Sequence, residues 1–119
     1  MENDTNTARR VASWLVPVLV ALLHGVPVAM AAGVASWATS GTCGDPASLS
    51  QLAEGRRDLA ILTAIALGPW LAAAVVAGRR HRGWVRYLVL GALVSVVPGA
   101  LLVDALTSAP AEWTTSWCF

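Results

Sequence analysis

Three long apolar runs, separated by short polar stretches, dominate the chain. Val11 to Ala38 carries no formal charge over 28 residues; Leu59 to Gly78 lies between Asp58 and Arg79; Tyr87 to Leu106 holds one acid, Asp104, near its far end. About 20 consecutive apolar residues suffice to cross the hydrocarbon core of a bilayer. The pattern predicts an all-α integral membrane protein of one domain, with transmembrane helices at 11–38, 59–78 and 87–106. Polar segments at 1–10, 39–58, 79–86 and 107–119 flank and join them. Glycine at position 78, followed by arginines, reads as a C-cap for the second span.

A secretory signal peptide is the rival reading of the first run. Arg9 and Arg10, the apolar stretch and "AMA" before Ala32 imitate its three regions, and a cut there would remove residues 1–31. The apolar stretch continues through Gly33, Val34 and Trp37, which favours a retained span. Around "RRVAS" only the arginine pair matches a twin-arginine signal.

In the segment 39–58, Asp45 as N-cap and Pro46 at the first helical position predict a short helix with Leu49, Leu52 and Ala53 along one edge. Gly55 is the expected bend between this helix and the second span.

Charge adds orientation. Arg9, Arg10, Arg79, Arg80, Arg82 and Arg86 lie on one side of the three-span arrangement, and only Arg56 and Arg57 on the other. The positive-inside rule then places the N-terminus and the 79–86 connection in the cytoplasm and the 107–119 tail outside. Aromatic residues agree, with Trp14, Trp84 and Tyr87 at the inner boundary, Trp37, Trp113 and Trp117 at the outer one, and Trp70 at mid-depth.

Composition bears this out and narrows the source. Hydrophobic residues make up 56% and charged residues 13%, against about 25% charge in ordinary soluble domains. Every one of the 8 basic residues is arginine, which with heavy Ala and Val use suggests a bacterium with a G+C-rich genome and hence its plasma membrane. In general character the chain resembles the many small multi-pass membrane proteins of such bacteria, although no motif carries that likeness. A net charge of +1 without a basic stripe gives no reason to expect nucleic acid.

On this topology Cys43 and Cys118 both face the oxidising side, where disulfides persist. The expected pairing is an internal Cys43–Cys118 bridge between outer loop and tail, with a bridge between two copies as the alternative. The two cysteines form neither a C-x-x-C redox pair nor a prenylation box, and no four-ligand metal spacing is present.

Inside the membrane, small residues recur at every fourth position: Ala21, Gly25, Ala29 and Gly33; Ala60, Ala64, Gly68 and Ala72; Gly91, Ser95 and Gly99. Such rows let helix backbones approach closely and read as packing seams, within the bundle or toward a partner. Pro17, Pro27, Pro69 and Pro98 shape the helices. Two ionisable residues, His24 at mid-depth and Asp104 near the outer boundary, are the candidate intramembrane polar positions. His24 is read first as a hydrogen-bonded packing residue near Trp70; a proton relay and a haem or metal ligand are its alternatives. Asp104 is expected to reach water or to pair with Arg56 or Arg57. The arginines of the 79–86 connection suit anionic headgroups, although orientation alone explains them.

No catalytic triad, zinc-binding H-E-x-x-H, phosphate-cradling glycine loop or dinucleotide fingerprint is present. The expectation is a non-enzymatic accessory or interaction subunit of a membrane complex or homo-oligomer, with no cofactor. A small oligomeric transporter or ion pathway using His24 is the alternative, and a haem- or redox-linked subunit a weaker one.

Overall fold

The computed structural model describes residues 2–42, 44–80 and 83–114 and contains three helices: α1 (Glu2–Thr39), α2 (Leu49–Arg79) and α3 (Trp84–Thr107). All three are long and apolar enough to cross a membrane. The apolar part of α2, Leu59 to Gly78, rises about 30 Å at 1.5 Å per residue, the thickness of a bilayer core. Leu23 (78% exposed), Met30, Leu93 and Val103 point outward among many other large apolar side chains. Water would make such a surface costly, whereas lipid tails suit it.

Three contacts fix the arrangement of the helices. Arg86, at the start of α3, reaches Ser13 near the start of α1, while Gly41, just past α1, pairs with Thr114 beyond α3. α1 and α3 therefore run parallel. Arg56, early in α2, touches Ala105 late in α3, so α2 runs antiparallel to both.

Helix boundaries differ from the sequence expectation in ways that local chemistry explains. The polar segment before Val11 is helical from Glu2 onward, and Thr7 Oγ1 turns back to donate to the carbonyl of Asn3 at 2.8 Å. No separate helix begins at Pro46. Instead Ser48 caps α2: its Oγ accepts from Gln51 N–H at 3.2 Å while Gln51 Oε1 accepts from Ser48 N–H at 2.7 Å, a reciprocal capping box. Nor does Gly55 bend the chain, for α2 runs through it unbroken. Glycine is needed there for space, since a Cβ would lie 2.6 Å from Thr39 Oγ1 and 3.5 Å from Trp113 Nε1.

At the other end of α2, Gly78 stays inside the helix and Arg80 is the C-cap, its N–H donating to the carbonyls of Ala77 and Gly78. The left-handed glycine of this connection is Gly83, with φ +53°, a backbone conformation that other residues adopt only under strain. His81 and Arg82 lie outside the described residues. Two apolar cores result. One, at mid-depth, joins Ala21, Val28, Ala66, Trp70, Leu90 and Val94; the other gathers Ala32, Ala47, Leu52, Leu59 and Ala105 around Trp113.

Candidate functional site

The mid-depth core is organised by a glycine. Gly91 of α3 sits directly against α2, where a Cβ would come within 2.6 Å of Trp70 Cβ. That close approach pins the Trp70 indole between helices, and its Nε1–H donates to His24 Nδ1 on α1 at 3.2 Å. The two rings are 6.5 Å apart, and the Tyr87 ring also lies 6.5 Å from that of Trp70. Because Nδ1 accepts, the hydrogen bond assigns the ring proton of neutral His24 to Nε2. The expected proximity of His24 and Trp70 is thus found, and it takes the form of a hydrogen bond.

Beside this pair, on the face between α1 and α2, opens an apolar cleft of about 410 Å³. Val16, Pro17, Val20 and His24 form one wall, Pro69, Trp70 and Ala73 the other, and Tyr87 closes one end. Among the described residues no three His, Cys, Asp or Glu side chains converge as metal ligands would.

Arg86 ties together the end of the bundle where α3 begins. Proline at position 17 has no N–H, so the carbonyl of Ser13, four residues earlier, lacks its helical donor. Arg86 Nη1 supplies one at 3.2 Å, and its Cζ stands 5.2 Å from the Tyr87 ring centroid. Its Nε is buried without a hydrogen-bond partner. Arg9, Arg10, Arg79 and Arg80 are exposed near the same end of the bundle. An arginine expected only to set topology is therefore also a structural tie between α1 and α3.

The opposite end, where α3 finishes, holds a second tie. Arg56 Nε donates to the carbonyl of Ala105 at 2.8 Å and Nη2 to that of Ser108 at 3.3 Å, capping from another helix the carbonyls that a helix C-terminus leaves unpaired. Arg57 turns to Asp58 at 3.0 Å and Glu54 at 3.8 Å. Asp104 therefore pairs with neither arginine. Its carboxylate is exposed, with one long 3.5 Å contact from Ser108 Oγ, because backbone carbonyls have already engaged Arg56.

Trp113 also departs from expectation. Expected as an interfacial ring, it is fully buried (0% exposed) within the bundle, wedged over Gly55, with its indole N–H unpaired. Trp37 does face outward, at 72% exposed. Gly41 N–H donates to the Trp113 carbonyl at 2.9 Å, and Gly41 packs so tightly on the Asp45–Ala47 backbone that no side chain would fit. Cys43, Trp117 and Cys118 lie outside the described residues, so the expected bridge does too.

The small-residue rows divide. Gly91 and Gly25 serve the bundle, the latter with Val94 Cγ2 3.2 Å from where its Cβ would be. Ala29 lines an apolar groove between α1 and α3, and Ser95 Oγ turns back to the Ala92 carbonyl at 3.1 Å. Gly33, Gly68 and Gly99 meet nothing within 4 Å.

Searches of protein families, curated proteins and solved structures find no match to this chain.

Proposed function

We propose that the chain is a non-enzymatic accessory or interaction subunit of a bacterial plasma-membrane complex or homo-oligomer, its N-terminus and 79–86 connection cytoplasmic and its 107–119 tail outside. The observation that carries this reading is the division of the glycines. Gly33, Gly68 and Gly99 have open space where a side chain would stand, so the bundle itself does not require them to be small. Such positions let another helix backbone approach closely. The orientation rests on the arginines, for Arg9, Arg10, Arg79, Arg80 and Arg86 share one end.

A photo-cross-linking residue placed at position 68 or 99 tests the reading in native membranes. A discrete adduct at those positions and none at position 91 is the expected pattern; no adduct at any position argues against it.

The bond from Trp70 to His24 supports a packing role for the imidazole over a proton relay, because the accepting nitrogen is already engaged. An internal Cys43–Cys118 disulfide belongs to the same reading. It is supported by the Gly41–Trp113 hydrogen bond, which brings the backbone two residues before Cys43 beside the backbone five residues before Cys118. Faster migration on a non-reducing gel is the expected sign. Free-thiol labelling of both cysteines in the untreated protein would count against it.

A further inference from the structure

We infer that the inner end of the bundle holds an anionic phospholipid, its phosphate between Arg80 and Arg86 and an acyl chain along α2. Between α2 and α3 lies a trough of about 540 Å³ whose polar lining is Arg80, Arg86 and the Tyr87 ring. Its floor is Ala72, Ala73, Val76 and Ala77, where the three alanines leave room that larger side chains would fill. Among the described residues no acidic side chain lines it.

Cationic groups at the water boundary above an apolar floor match a lipid's anionic head and its tail in both sign and depth. A free phosphate would use only the upper part. A further feature favours negative charge at that level: Gly83 gives the N-terminus of α3 no side-chain cap, leaving the positive end of the helix dipole there. Ala73 and Tyr87 also line the cleft beside His24 and Trp70, so the trough adjoins it and an acyl chain can continue to mid-depth. A protein partner at this end would be expected to supply a carboxylate and would gain nothing from an apolar floor that descends into the membrane.

The test is native mass spectrometry of the purified full chain titrated with dioleoyl phosphatidylglycerol or dioleoyl phosphatidylcholine. It is independent of the partner reading, because it needs only the isolated protein. Two arginines near an anionic group set the expected preference for phosphatidylglycerol at about tenfold or more. Arg80→Gln, at an exposed position where the helix is capped by backbone, is expected to lower that preference several-fold. Ala77→Phe, which fills the floor, is expected to weaken both lipids, while R9Q/R10Q leaves binding unchanged. Inorganic phosphate at millimolar concentration is not expected to displace the lipid. Equal binding of the two lipids, indifference to Arg80→Gln and Ala77→Phe, or displacement by inorganic phosphate would each overturn the assignment.

Discussion

The carbonyl of Ser13, deprived of its helical donor by Pro17, accepts a hydrogen bond from Arg86 on another helix at 3.2 Å. A local defect in α1 and a charged residue in α3 thus compensate each other, which is how membrane helices tolerate proline. The two should be energetically coupled. Arg86→Gln is expected to lower stability by about 1–3 kcal/mol, the scale of a charge-assisted hydrogen bond, and clearly less in a Pro17→Ala background, where the helix can supply the donor itself. Thermal unfolding in detergent across the double-mutant cycle measures the difference. Additive losses would mean that the contact stabilises nothing.

The Trp70–His24 pair admits a similar cycle. Trp70→Phe removes the donor and leaves Nδ1 unpaired, at an expected cost of about 1–3 kcal/mol. Adding His24→Leu should recover part of the loss, because removing both partners is less harmful than stranding one. A structural His24 also implies that proton flux in liposomes is the same for wild type and His24→Ala. A drop in flux would revive the relay.

Glycines that look alike in the sequence should behave in opposite ways. Gly91→Ala drives a methyl into Trp70 and is expected to cost about 1–3 kcal/mol. Gly68→Ala and Gly99→Ala meet open space and should be neutral, or stabilising by about 0.5–1 kcal/mol through better helix propensity. Melting temperatures of the three single variants separate the two classes.

The core around Trp113 depends on the bulk of that side chain and not on its indole N–H, which has no partner. Trp113→Ala should cost about 3–5 kcal/mol, and Trp113→Phe much less. Limited proteolysis of the connection between α1 and α2 reports the loosening.

Much of the bundle was legible because apolar runs of this length, with at most one charged residue, have few other physical solutions. The mid-depth meeting of His24 and Trp70 was legible from depth alone. Arg56 and Arg86 were not, because their partners are backbone carbonyls, which carry no residue-specific signal; Pro17, four residues after Ser13, was the one clue to Arg86. Trp113 was misplaced by an aromatic-belt rule that knows depth but not burial. Gly55 read as a breaker because its real neighbours, Thr39 and Trp113, are distant in sequence. The short helix expected from Pro46 lost to a cap only two residues further on, where Ser48 and Gln51 satisfy each other's backbone N–H groups.

Affinity purification from native membranes in mild detergent, with mass spectrometry and mass determination of the intact particle, tests the central claim most directly. Wild type is expected to recover a stoichiometric membrane partner or a second copy of itself. A Gly33→Leu/Gly68→Leu/Gly99→Leu variant should lose that association while keeping its helicity, since its new side chains enter open space. A wild-type protein that is strictly monomeric and recovers nothing would contradict the account.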